Sequence, residues 1–302
     1  MKYNSIDDLI GQELSLKTVN IVVYPDNNSN TYIINLYEKS KNSFVIVNSL
    51  KTFSRTLQFR KPDVLHLNWI EYKNLRSLVK LTALFLAVTN AKIRGIGIMW
   101  TPHNIEPHTG NKRLNQFIYK FFGIFTDIVI THGEYEKEVF KNILQSKKIV
   151  TLKHPPFKLD HEQISKVNLN MTFKSGVKHF IVFGQISPYK AVDRLILEWK
   201  KEWGCLIIAG KWKMKMTIPN KENVVILNSF LEFNELCALI LKCDYSIFNY
   251  RKITTSGSLV LSKNLGTRVI CKSIGNLPEY LDDEDLKFNS FENLIHLLNN
   301  LK

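Results

Sequence analysis

A chain of 302 residues, 45% hydrophobic and 23% charged, has room for two domains with sizeable cores, and this composition excludes a disordered or membrane-embedded protein. Lysine and arginine outnumber aspartate and glutamate by 41 to 27, a formal charge of +14. That balance favours anionic partners such as nucleic acid, anionic lipid or phosphorylated small molecules, although a lysine-rich sequence also spreads charge over an ordinary solvated surface.

The first sixteen residues hold two aspartates and no continuous apolar stretch, which predicts no secretory signal and a cytoplasmic protein. Five short β-rich apolar runs follow, at 19–24, 44–48, 63–68, 95–101 and 127–131. Residues 72–95 mix Lys73, Arg76, Lys80, Lys92 and Arg94 with a leucine-rich face, as an ordinary half-buried helix does or one lying on an anionic membrane surface. The longest apolar run, 81–88, is too short to span a bilayer. The segment 153–176 carries a Pro pair, many polar residues and little periodicity, as a linker would, and places the domains at 1–158 and 159–302. Five further runs lie at 179–184, 205–210, 223–227, 244–248 and 267–271. Val192, Leu195, Ile196 and Trp199 mark an amphipathic helix among them. A last helical stretch, 290–302, suits packing on either domain. Continuous apolar strands alternating with helices predict parallel sheets covered on both faces, in two Rossmann-like sets. The four cysteines sit at no metal-ligand spacing and read as buried, reduced thiols.

Three turns after strands carry chemistry. In "FGQISPYKAV" (183–192) Gly184 allows a sharp turn and Lys190 can put an ammonium on a phosphate oxygen. In "NYRKITTSGSLVL" (249–261) Ser256 or Ser258 can cap a helix, and Gly257 lets an anion approach its backbone N–H groups. In "WTPHNIEPHTG" (100–110) His103, Glu106 and His108 gather two imidazoles and a carboxylate, able to move a proton near neutrality. Their spacing fits no standard zinc pattern, so no metal is expected. His66 lies within a strand and reads as a buried structural residue, whereas His132 ends one and can face a cleft.

On these residues the chain resembles bacterial glycosyltransferases of the GT-B fold, family 4-like, nearest to polysaccharide-assembling mannosyltransferases. The likeness covers nearly the whole chain. It rests on "FGQISPYKA", on Tyr250 with "TTSGS" (254–258), Gly266, "RVI" (268–270) and "GNLPE" (275–279), and on Trp100 to His108. A weaker element is Tyr24, Pro25, Asp26, Asn30 and Tyr32. Departures are Ser187 for the usual Arg, Ala191 for the usual Gly and Thr109 for an acidic residue, with Ile253 and Leu261 where retaining members carry paired glutamates. Arg251 or Lys252 would then supply the missing positive charge. Both inverting and retaining outcomes stay open.

The resemblance implies two Rossmann-like α/β domains facing each other across a cleft, and an enzyme that moves a sugar from a nucleotide-diphosphate sugar to a saccharide or lipid-linked acceptor. It implies donor binding by Gly184, Lys190, Tyr250, Arg251, Thr255, Ser256, Gly257, Ser258 and Glu279, and acceptor contact by Asn30, Tyr32, Asn104 and Glu106. His108, His103 or Asp26 is the implied base. No cofactor or metal is implied beyond the nucleotide sugar. A nucleotide-sugar 2-epimerase shares this fold and is the alternative. A basic nucleic-acid-binding protein is the non-enzymatic one, although no nucleic-acid-binding motif is present.

Overall fold

The computed structural model describes residues 2–25, 31–59, 61–70, 75–103, 112–144, 148–214 and 219–301. The chain divides into two compact units, passing from one to the other between Pro155 and Pro156, just before the expected 158/159 boundary.

The first unit runs β1 (Lys2–Tyr3), α1 (Ile6–Leu14), β2 (Asn20–Tyr24), α2 (Tyr32–Tyr37), β3 (Ser43–Ile46), α3 (Leu50–Phe59), β4 (Val64–Asn68), α4 (Leu75–Ile93), β5 (Gly97–Thr101), α5 (Lys112–Phe125), β6 (Ile128–Thr131), α6 (Glu134–Leu144) and β7 (Lys148–Leu152). Its strands form one parallel sheet in the order β1-β7-β6-β5-β4-β2-β3. Successive strand residues point to opposite faces. Val22, Leu65, Leu67, Ile98 and Trp100 therefore enter one core with α3 and α4, and Ile21, Val23, Val64, Met99 and Ile128 enter another with α1 and α2. A sheet buried on both faces needs apolar residues at every position, which is why these strands read as continuous runs.

The second unit runs α7 (His161–Ser165), β8 (His179–Phe183), α8 (Val192–Glu198), β9 (Cys205–Ala209), β10 (Val224–Leu227), α9 (Phe233–Leu241), β11 (Tyr245–Phe248), α10 (Gly257–Asn264), β12 (Arg268–Lys272), β13 (Leu286–Phe288) and α11 (Phe291–Asn300), with 3₁₀ turns at Pro188–Lys190, Lys201–Trp203 and Leu277–Tyr280. The parallel order is β10-β9-β8-β11-β12-β13. Numbered from β8 this is 3-2-1-4-5-6, the Rossmann order. The terminal helix α11 belongs to this unit: Phe291, Leu294 and Leu298 join the core of Phe180, Val182 and Ile270, and Trp203 Nε1 donates to Asn299 Oδ1 at 2.9 Å. All four cysteines are free thiols, three of them buried. No helix among the described residues is long and apolar enough to cross a membrane.

Each sheet has a point where successive connections leave in opposite directions. In the first unit it lies between β2 and β4, in the second between β8 and β11. Ligands of open α/β sheets bind beyond the carboxyl ends of the strands at such points. Backbone crowding holds the second point together. Gly210, after β9, has φ +137°, and a Cβ there would stand 2.1 Å from the Gly184 carbonyl oxygen, a clash no rotamer relieves. Gly210→Ala is expected to cost at least about 2 kcal/mol in chemical unfolding. An unchanged midpoint would show that the two turns do not pack as described.

Candidate functional site

In the second unit, the turns after β8 and β11 converge. Gly184 follows β8 with φ +85°, and a Cβ there would stand 3.1 Å from Lys190 Nζ and 3.5 Å from Ser258 Oγ. One glycine thus brings the lysine and the helix start into a shared cradle. Lys190 closes the 3₁₀ turn, is only 4% exposed, and donates from its ammonium to the Phe183 carbonyl. Its Nζ also lies 5.7 Å from the centroid of the Tyr250 ring, which stacks on Tyr189 at 5.5 Å. Such a cation is under-solvated: burial lowers the Lys190 ammonium from its ordinary range to about 7. Among the described residues no carboxylate pairs with it, and a diphosphate is the kind of group that would supply a counter-anion.

Helix α10 completes the cradle. Ser256 caps it, its Oγ accepting from Leu259 N at 3.2 Å and meeting Tyr250 Oη at 3.0 Å. The Gly257 and Ser258 N–H groups come before the first intrahelical bond, Val260 N to Ser256 O at 3.1 Å. They therefore sit at the positive end of the helix dipole, where an anion is favoured. The loop into α10 is pinned from β12. Gly275, at φ +58°, lies so close to Ile253 and Thr254 that a Cβ would stand 2.5 Å from either carbonyl oxygen. Asn276, fully buried, donates from its backbone to Thr254 O and from Nδ2 to Thr255 Oγ1, both at 2.8 Å.

In the first unit, a histidine cluster occupies the carboxyl edge of the sheet. His66 on β4 links the Tyr37 hydroxyl and Thr101 Oγ1, each at 2.8 Å, a structural role as its strand position suggests. His103, after β5, donates from Nε2 to Asn68 Oδ1 at 3.0 Å, so its Nδ1 carries the lone pair. Trp69 stacks on the His103 ring at 4.2 Å with planes 10° apart. Both residues hold left-handed backbone, φ +43° and +63°, strain of a kind that collects at functional sites. Tyr32 stands edge-on to His103 at 4.6 Å, and to His132 and His154 at 5.3 Å each. His132 donates from Nδ1 to Leu152 O, and His154 to Pro155 O, both at 2.8 Å. Burial lowers His66 and His132 to about 3 and His154 to about 4, and holds His103 well below its ordinary value, with the neighbouring imidazoles adding to it. These rings are neutral at pH 7, set to donate or accept hydrogen bonds, with His103 Nδ1 as a base. Among the described residues no three His, Cys, Asp or Glu side chains are arranged to hold a metal ion.

Of the residues expected to bind a donor, Gly184, Lys190, Tyr250, Ser256, Gly257 and Ser258 lie together, and Thr255 holds the loop beside them. Arg251 is on the surface, its guanidinium 2.7 Å from Asp193, so the charge missing at Ser187 is not restored by a free Arg251. Glu279 is exposed on the 3₁₀ turn after β12. His103 and Tyr32 meet in the first unit. Asp26, Asn30, Asn104, Glu106 and His108 lie outside the described residues. Asn68, Trp69, His154 and Asn276 were not singled out from the sequence. Only the Gly-Asn of "GNLPE" gave a local signal.

Two stability profiles follow from the depressed values. An unfolded lysine binds its proton up to about pH 10.4. The folded chain loses that of Lys190 near 7, so its unfolded state holds more protons in between and stability rises with pH there. Lys190→Met should raise Tm at pH 7 and flatten that rise; a lowered Tm with an unchanged slope would contradict the buried cation. The buried imidazoles act below neutrality. Stability should fall as pH drops below about 6.5, by up to about 1.4 kcal/mol per pH unit for each ring, and His66→Gln should make the fall shallower in pH-dependent urea unfolding.

No family model matches the chain, and no curated protein does. Solved structures share the fold. The Anabaena protein HepE in complex with UDP-glucose superposes with a TM-score of 0.64 at 11% identity, over 93% of this chain and 89% of that one. A trehalose-6-phosphate synthase gives 0.63 at 8% identity, over 94% and 91%. An alpha-glucosyltransferase in complex with UDP-glucose and DNA gives 0.58 at 11%, over 94% and 91%. At such identities the likeness carries the architecture: two parallel α/β sheets of the GT-B class.

Proposed function

We propose that the chain transfers a sugar from a nucleoside-diphosphate sugar, UDP- or GDP-linked, to a saccharide or lipid-linked saccharide acceptor in surface polysaccharide synthesis. The observation that carries this reading is the convergence of the Lys190 ammonium, the Gly184 turn and the α10 N-terminus at the β8/β11 switch point. The HepE complex with UDP-glucose, of the same fold, supports it. As the bond from the anomeric carbon to the diphosphate oxygen breaks, its electron pair goes to that oxygen. Lys190 and the Gly257 and Ser258 N–H groups meet the growing charge there, in the place a metal takes in other transferases. The acceptor hydroxyl forms the new bond and gives up its proton. His103 Nδ1 is a base for that proton, with His108 and Asp26 as the other candidates, a contribution of about 10²–10⁴-fold. Under a retaining course the same ring positions the sugar instead. Glu279 would bond the ribose or the sugar.

A thermal-shift panel of UDP, GDP and their sugars, with and without EDTA, tests the reading. One diphosphate is expected to raise Tm by about 5 °C or more at a hundredfold excess over Kd, with EDTA having no effect. Lys190→Ala and Gly257→Val should each abolish the shift. No shift with any diphosphate, or one requiring Mg²⁺ or Mn²⁺, would overturn the metal-free site. Conversion of the sugar nucleotide to its 2-epimer without acceptor would replace transfer by epimerisation.

A further inference from the structure

Helices α4 and α5 carry six of the chain's basic residues, Arg76, Lys80, Lys92, Lys112, Arg113 and Lys120, and no acid. Both bury one face, through Leu81, Leu84, Val88 and Ala91 on α4 and Ile118, Tyr119 and Phe122 on α5. Their outer faces are nevertheless apolar. Val79, Leu86 and Ile93 recur two turns apart along α4, and Phe117 and Ile124 do so along α5, all between 61% and 81% exposed. The helices pack side by side, with Phe85 4.3 Å from Phe121 and 5.1 Å from Phe125 between ring centroids, so the two stripes form one platform.

Helical phase sets the basic groups around it. On α5, Phe121 turns toward α4, while the exposed Lys120 flanks the Phe117–Ile124 stripe on the other side. On α4, Phe85 faces α5, so the exposed Lys80 projects from the far flank. Lys92 is neutralised by its ion pair with Asp127. An apolar centre with cations on both sides matches a bilayer boundary, where aliphatic groups enter beneath anionic headgroups. A second copy of the chain fits poorly, because a two-fold contact would set one acid-free basic face against itself.

We propose that the α4–α5 face docks on an anionic lipid bilayer surface. This stands apart from the reaction proposed above and would hold for any activity at the β8/β11 site.

Vesicle flotation of the full chain tests it, with phosphatidylcholine alone and with added phosphatidylglycerol, at low and high salt. The protein is expected to float with the anionic vesicles only, and less so at high salt. Phe117→Ser with Ile124→Ser leaves the charge untouched and should weaken binding at least about tenfold, as should Lys80→Glu with Lys120→Glu. Lys242→Glu with Lys287→Glu, on the second unit, should change nothing, and an unchanged Tm should accompany every variant. Equal losses for both charge pairs, or full binding by the serine pair, would overturn the proposal. So would equal flotation with neutral vesicles, or a dimer in light scattering that the serine pair dissolves.

Discussion

A lysine ammonium buried with no carboxylate beside it among the described residues is the costly element in this structure, and the second unit is built around it. Lys190 is kept from water by Tyr250, by the Gly184 turn and by the start of α10, and it donates to the Phe183 backbone carbonyl. Burying such a charge disfavours the folded state unless something else gains. The gain proposed is that an arriving anion meets a cation already stripped of water and fixed in place. The close packing of Gly184 on Gly210, and of Gly275 on the Thr254 carbonyl, then reads as what keeps the cradle from relaxing.

The first unit deals with polar groups in a different way. Four of its histidines, His66, His103, His132 and His154, lie on or just after β4, β5, β6 and β7, and burial keeps them neutral. Hydrogen bonds fix the tautomers, with His103 tied to Asn68 and His132 to a β7 carbonyl. A charged cradle suits a leaving diphosphate, and a neutral array suits a hydroxyl that must be oriented and relieved of a proton. Each lies at a carboxyl edge because there the parallel strands end together and the loops are free to vary.

The ten strands expected from apolar runs all appear, since burial on two faces writes itself into every position. Three others, β1, β7 and β13, were not expected. The first and last are short strands at sheet edges, and β7 opens on a lysine and carries a threonine. Helix α8 begins at Val192 as its pattern suggests, but Lys190 belongs to a separate 3₁₀ turn, and Ala191 between them takes φ +50°, a left-handed conformation that favours glycine. The Lys190 cradle was legible because its parts sit in two local stretches. The histidine cluster was not. His103 and Asn68 are 35 residues apart, and His154 comes from a segment taken as linker, so only the strand order brings them together.

Lys190 is a poorly solvated cation, and the proposed transfer requires that a diphosphate relieve it. Its own titration is the direct measurement, followed by NMR of the side-chain ε-methylene in the free protein and with saturating UDP or GDP. A midpoint near 7 in the free protein, rising by about 2 pH units or more with one of the two nucleotides, is the predicted result. A midpoint near 10.4 throughout, untouched by either, would contradict it.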